Sequence, residues 1–552
     1  VKKRGRRFIM GKLASLLKLK PFIKKYWTLF GIGAFGIILS SIAATPVPYI
    51  IGYLMDKVLL NKKSYNELYV YIGVIALLYI FKYVISFLSK YIFAKINNLV
   101  VNELRYSVMD KVMDLPMSYL SNTEKGYVQS RISECSSVGS IFSPSIISIF
   151  LSIIDAVLAL ATMFAINYKL AFVVLLLAPI FFFSAKNSAK NFMKNTMEAM
   201  ESNAILNGEC FEIINGIEDI KILNGKETHL RKFKNKLDEL IKISIKQSKS
   251  IVMFMENIGL INNFGSLLIL LIAGLLILKG QFTVGLYTSF SLYIGTVFGS
   301  TQGLATIGTT IKPACLSIER IYELLDMKEE SYGRNNCIKE NIESLKFQNV
   351  SFKYNDDKTV LNSLNFQISK GDKVLIKGEN GSGKSTLIKL LLGLYNQTEG
   401  NILYNNIDSM EIDIKELRKR IGIVCQNIFL FKGSVLDNIL YGQTNKKRED
   451  VEKIIKELHL EEYVSRLPKG LDTEIIQNTA GVSGGQAQII AFIRSMVSEK
   501  DILILDEPIS NVDAETREIV LNILRNMSFN GILIVVSHLM EGMDFIDKVI
   551  EI

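Results

Sequence analysis

The chain has 552 residues, 49% of them hydrophobic and 21% charged, with a mean hydropathy of +0.27 and a formal net charge of +10. That length accommodates several domains, and the positive balance comes without zinc-finger spacing or an aromatic-basic RNA motif, which argues against a nucleic-acid partner. His229, His459 and His538 are too few for a histidine-rich metal centre, and five scattered cysteines form neither a metal box nor a disulfide framework.

Hydrophobicity is concentrated in the first part of the chain. Lys2, Lys3, Arg4, Arg6 and Arg7, then Lys12, Lys18, Lys20, Lys24 and Lys25, precede the first long apolar segment, which places the N-terminus in the cytoplasm. That segment, Tyr26–Leu54, is too long for a cleavable signal and lacks a small-residue cleavage site; Pro46 and Pro48 should bend it. Further apolar segments cover Leu68–Phe93, Ile141–Ile166, Leu170–Ala185, Ile251–Leu278 and Thr283–Ile307. Their lengths predict six membrane spans with both ends inside.

Between spans the pattern stays helical but gains charge. The second helix should continue through Asn97–Met113 and end at Leu115–Tyr119, with short polar helices and turns over Ser121–Ser136. A charged helical stretch from Lys190 to Lys249 is interrupted at Gly208, Gly216 and Gly225. Lys82 and Asp155 fall inside spans, where a charge costs about 2.5–3.5 kcal/mol, so each should face a cavity or a partner. They are candidate transport-pathway residues; the plainer readings are snorkelling for Lys82 and helix pairing for Asp155.

A polar connector, 326–341, leads to a segment of soluble character. Leu345–Phe347, Val350–Phe352 and Thr359–Ile368 read as edge strands, and Ile421–Cys425, Ile502–Leu505 and Ile532–Val536 as further strands. Val451–Leu467 and Glu515–Met527 read as helices. The expected architecture is a membrane all-α six-helix domain over 1–325, a linker over 326–341, and an α/β P-loop nucleotide-binding domain with a largely parallel sheet over 342–552.

The chemistry lies in the last domain. Gly378, Glu379, Asn380, Gly381, Ser382, Gly383, Lys384, Ser385 and Thr386 fit G-x-x-x-x-G-K-[ST], between an apolar run and a helix-like run. Glycines let backbone N–H groups converge on phosphates, Lys384 reaches the terminal phosphates, and Ser385 can hold Mg²⁺. Asp506 and Glu507 emerge from the apolar run Ile502–Leu505, where α/β sheets bind ligands. Asp506 suits Mg²⁺, and Glu507 suits orienting or deprotonating an attacking water.

With Val482, Ser483, Gly484, Gly485 and Gln486 the chain resembles the ATP-binding cassette transporter superfamily, in its exporter-type half-transporters. Val482 stands where the family's LSGGQ signature has leucine. The resemblance spans almost the whole chain and implies further roles. Tyr354 would stack on adenine, Gln426 would sense Mg²⁺ and the attacking water, and His538 would contact the γ-phosphate. Ser510, Asn511, Val512 and Asp513 would communicate across a dimer, in which Val482–Gln486 contact the ATP of the opposite subunit. Asp114–Leu120 looks like the entry to the first coupling helix, and Glu218–Asn224 like the region beyond the second.

Where exporters carry other residues, this chain has Ile476, Gln477 and Thr479 ahead of the signature. Ala487 and Ile489 replace basic or polar residues after it, which predicts a weaker subunit contact and slower turnover. The family pattern also continues beyond Ile552, so either the cassette is short at its C-terminus or a further tail follows. The implied function is an ATPase that exports a hydrophobic or amphipathic cargo, or alternatively a modified peptide, across the cell membrane, paired with a second copy of itself. A receptor or scaffold that uses ATP without net transport and an importer are the non-exporter alternatives.

Overall fold

A computed structural model describes residues 17–60, 65–123, 125–330, 340–354, 359–379, 381–476, 482–510, 512–538, 540 and 542–552. The chain divides into two compact units, residues 1–112 with 126–326 and residues 113–125 with 327–552.

The first unit is helical because long apolar runs meet few breakers. Trp27–Ala44 gives way at Thr45 to Pro46–Leu54, with Pro46 in a first turn where its missing N–H costs nothing. Tyr65–Met113 is one helix of 49 residues, and Pro144–Ile166 starts from the Ser143 side chain, which accepts from the Ile146 N–H. Tyr168–Asn215 is capped by Asn167 and ends at Gly216, and Gly225 caps Lys226–Leu278. Gly208 lies inside its helix and interrupts nothing. Val284–Leu325 is the last long helix. The polar stretch expected as short helices and turns contains one continuous 15-residue helix, Lys125–Gly139.

Among the described residues, four helical tracts are long and apolar enough to cross a membrane: Trp27–Leu59, Tyr65–Met113, Gly126–Ile166 and Lys226–Leu278. The sequence reading expected six spans. The other two coincide with Tyr168–Asn215 and Val284–Leu325, which run through stretches where side chains are not described. The most apolar window of Tyr65–Met113, mean hydropathy 2.1, has none of its residues buried, so lipid or another protein must cover it. One crossing depends on glycine. A Cβ on Gly52 would lie 2.4 Å from the Gly285 carbonyl oxygen, and one on Gly285 would lie 2.0 Å from that of Gly52. Asp56 fixes the same crossing, accepting from the Gly285 N–H at 2.7 Å and from the Thr283 hydroxyl.

In the second unit the strands are β1 (Ser344–Lys353), β2 (Thr359–Ser369), β3 (Lys373–Lys377), β4 (Glu399–Tyr404), β5 (Ile407–Asp408), β6 (Ile421–Val424), β7 (Gly433–Ser434), β8 (Glu474–Ile475), β9 (Ile502–Asp506), β10 (Ile532–Val536) and β11 (Lys548–Glu551). A parallel sheet runs β11-β3-β10-β9-β6, and a separate antiparallel sheet runs β2-β1-β4-β5. β1 is therefore interior, not the expected edge, because β4 covers its free side with Leu345 opposite Tyr404. β7 and β8 form a small antiparallel ribbon.

Residues 113–125 pack with this unit. The Glu330 N–H donates to the Asp114 carbonyl at 2.8 Å, Lys415 lies 3.4 Å from the Asp114 carboxylate, and the Ser121 and Tyr395 hydroxyls are 2.8 Å apart.

Candidate functional site

β3, β6, β9 and β10 are neighbours in one parallel sheet, so their carboxyl ends share an edge, the place where such sheets bind ligands. From those four ends come the glycine loop, Gln426, Asp506 with Glu507, and His538. Chain topology thus gathers groups that are far apart in sequence.

The loop after β3 leads into the helix Lys384–Leu391 through Gly383, whose φ of +105° suits glycine alone. The Lys384 ammonium folds back and donates to the carbonyls of Gly378 and Glu379 at 2.7 and 2.9 Å. The Ser382 hydroxyl is buried without a hydrogen-bond partner among the described residues. A cavity of about 220 Å³ is lined by Val360, Gly381, Gly383, Lys384, Ser385, Thr386, Gln426, Asp506 and Glu507. Asn380 lies outside the described residues.

Burial, then the neighbouring Glu507 charge, raises the Asp506 carboxyl above its ordinary range; the Gln426 backbone and Lys384 oppose this. A cation would relieve that cost. The Ser385 hydroxyl, Gln426 amide and Asp506 carboxylate offer the oxygen donors that hard divalent ions prefer, so the residues fit Mg²⁺.

Glu507 is 8% exposed and sits at φ +52°, a conformation that costs a non-glycine residue about 1 kcal/mol or more. Its N–H donates to the Val536 carbonyl at 2.8 Å, so the neighbouring strand holds the bend. Its carboxylate meets His538 Nδ1 at 3.0 and 3.1 Å and accepts from the Ser510 hydroxyl. The Tyr354 hydroxyl lies 3.0 Å from that of Thr386, and its ring packs edge-on to Phe352 and Tyr395. Lys389 lies over the Tyr354 and Tyr395 rings.

The signature residues stand elsewhere. Gly484 opens the helix Gly484–Met496, and Ser483 caps it reciprocally with Gln486, each accepting from the other's N–H at 3.2 and 2.8 Å. Among the described residues, the lining of the phosphate cavity includes none of Val482–Gln486. Asp513 caps the next helix through Thr516; Asn511 and 477–481 lie outside the described residues. Ala487 and Ile489, expected at a subunit surface, are each 1% exposed in the unit's core, so packing explains their apolar character.

The sequence reading missed Gln488, a buried side chain that donates to the Pro508 carbonyl at 3.1 Å and ties the signature helix to the Glu507 bend. Its spacing from Pro508 carries no local signal. In the first unit, Lys82 and Asp155 come together at 3.7 Å.

Residues 30–301 match the family model for the ABC transporter transmembrane region, and residues 361–510 the model for the ABC transporter. A Bacillus subtilis (strain 168) protein named "Uncharacterized ABC transporter ATP-binding protein YfiC" is 27% identical over 93% of this chain and 85% of its own length. The "Lactococcin-A transport/processing ATP-binding protein LcnC" of Lactococcus lactis subsp. lactis is 27% identical over 94% of this chain and 72% of its own. The "ATP-dependent lipid A-core flippase" of Desulfotalea psychrophila (strain LSv54 / DSM 12343) is 25% identical over 92% and 89%. A solved bacterial Atm1-family ABC exporter with ATP bound shares the fold, with a TM-score of 0.81 at 21% identity over 96% of this chain and 93% of that one. The chain belongs to the ATP-binding cassette transporters, as an exporter whose ATPase domain is fused to its transmembrane domain.

Proposed function

We propose that this chain works as a homodimer in the cell membrane, with its N-terminus and ATPase domain in the cytoplasm. There it exports a hydrophobic or amphipathic cargo, or moves one between leaflets, by alternating access. The observation that carries the pairing is the separation of signature and phosphate cavity within one chain. Both halves of an ATP site are present, yet Ser483–Gln486 stay outside the chain's own cavity. A second copy completes each site by presenting its helix N-terminus to the terminal phosphate.

In this reading Tyr354 stacks on adenine and the Gly378–Thr386 backbone cradles the phosphates. Lys384 exchanges its two carbonyl partners for phosphate oxygens. Ser385, Gln426 and Asp506 hold Mg²⁺, which neutralises charge on the phosphates when bound. Glu507 aligns the attacking water and takes up its proton, and His538 holds the Glu507 carboxylate in place while offering a donor to the γ-phosphate. Closing the pair transmits force through 113–125, which is hydrogen-bonded to the ATPase domain and continues directly into the Tyr65–Met113 helix. Moving a 1:99 equilibrium to 99:1 requires ATP to favour the closed pair by about 10⁴-fold.

The test is ATP-driven cargo movement by purified protein in liposomes, alongside cross-linking of residue 483 to the partner's P-loop. Nucleotide-dependent closure without movement of any cargo would favour the receptor or scaffold reading. A peptide cargo is the second reading, supported by the relative named for lactococcin-A transport and by the cavity described next.

A further inference from the structure

We propose that a half-open cavity in the helical unit, lined by polar and apolar groups together, binds an uncharged amide group of the cargo; this deepens the exporter reading and rests on it. The cavity, about 190 Å³, lies between the first three long apolar helices and the last, with Ser41, Thr45, Lys82, Asp155, Tyr293 and Thr296 in its wall. At about 30 Å³ per water it has room for roughly six waters, the size of a peptide unit with a small side chain.

Two wall atoms are buried and unpartnered among the described residues: Asp155 Oδ1 and the hydroxyl oxygen of Ser41, a residue with no exposed surface. Lys82 Nζ stands 3.7 Å from Asp155 Oδ2, beyond hydrogen-bond reach of that carboxylate. What opens on the space is the loosely paired Lys82 and Asp155, each keeping part of its side chain exposed, while the two unpartnered oxygens lie sealed behind the wall. A charged pair within spans is ordinarily compensated closely, and this one is compensated only loosely, so it suits a ligand that brings a donor and an acceptor together.

The charge balance narrows the class. Lys82 and Asp155 cancel, so a cationic or anionic group would leave one unpaired charge in a low-dielectric interior. An amide adds no net charge. Its N–H donates to the Asp155 carboxylate and its carbonyl accepts from Lys82. An ester of the same shape keeps the acceptor and loses the donor.

The experiment measures equilibrium binding of three probes to the full chain in nanodiscs without nucleotide: N-acetyl-trileucine amide, its depsipeptide in which esters replace the amides, and ceramide. The peptide should bind at least tenfold tighter than the depsipeptide, the worth of a hydrogen bond to a charged group. Asp155→Asn should weaken peptide binding about tenfold or more, with ATP binding as the check on folding. If a variant fails to fold, the probe series on the unmodified chain still decides. Binding of ceramide alone would assign the amide to a lipid, and binding of the peptide alone to a peptide. Equal binding of peptide and depsipeptide, or no amide bound while another cargo is pumped, overturns the inference and leaves the exporter reading standing. Amide bound but nothing transported overturns the exporter reading instead.

Discussion

Glu507 and His538 are in direct contact, so their contributions to hydrolysis should not multiply. Glu507→Gln preserves shape and one acceptor oxygen but removes the basic carboxylate that His538 Nδ1 meets at 3.0 and 3.1 Å. Loss of a positioned proton acceptor lowers turnover by about 10²–10⁴-fold, or about 2.7–5.4 kcal/mol of barrier. His538→Ala leaves the base in place, with the Ser510 hydroxyl still donating to it, but removes one of its two fixed partners. That variant should lose about 10²-fold. Once the carboxylate is gone, His538 has no base left to position, so the double variant should fall no more than about tenfold below Glu507→Gln alone. The assay is single-turnover ATP hydrolysis in liposomes, with binding of a fluorescent ATP analogue measured in parallel and expected to hold in all three variants. Losses that multiply, or near-normal turnover in Glu507→Gln, would refute the assignment of one coupled unit.

Asp506→Asn should raise the melting temperature of the nucleotide-free protein at neutral pH. The folded-state pKa of Asp506 lies above its unfolded value, so stability falls as pH rises between the two and the full cost is present above both. The gain should shrink on acidification through that window, and the variant should lose the stabilisation that Mg-ATP gives; calorimetry with and without Mg-ATP measures both. Gly52→Ala places a methyl 2.4 Å from the Gly285 carbonyl oxygen and should cost about 1–3 kcal/mol in nanodisc unfolding, whereas an unchanged midpoint would mean that the crossing is not tight. Tyr354→Ala should weaken ATP binding by about 1–3 kcal/mol, as loss of one base–aromatic stack does, while binding of inorganic triphosphate stays unchanged.

What was legible in the sequence is what local chemistry dictates. The glycine loop, the strand ending at Asp506 and the strand before His538 announce themselves because a phosphate cradle needs particular residue types at fixed spacing. Pairing was less legible: alternation marks β1 as a strand, but its interior place depends on β4, a segment well removed in sequence. The stretch read as short polar helices and turns is one continuous helix, Lys125–Gly139, whose extent has no apolar stripe to mark it; ion pairs such as Arg131 with Glu134 at 2.7 Å support it instead. Neither the positive φ at Glu507 nor the apolar surroundings of Ala487 and Ile489 leave a local trace, since both are set by what packs against them.

The same distinction explains why the energy source reads so much more clearly than the cargo. Every ATP is alike, so the backbone geometry that holds its phosphates recurs as a motif of adjacent residues. A cargo pocket within a membrane is assembled from side chains on separate helices, in the proposed site from residues such as Lys82 and Asp155, and composition elsewhere on those helices is already fixed by lipid. Only the exceptions to apolar composition carry information, and a charge in a span costs enough to insert that it must be compensated. Lys82 and Asp155 offset each other's cost only partly at 3.7 Å, with one carboxylate oxygen left over. If the pair served helix packing alone, a tighter salt bridge or two apolar residues would hold the helices at least as well. The loose geometry is therefore the feature that points to a transient third partner. Replacing both residues at once, Lys82→Met with Asp155→Leu, separates the two roles: unfolding in nanodiscs should be unchanged or shifted upward while amide binding is lost. A double variant that unfolds readily yet still binds the amide would make the pair structural.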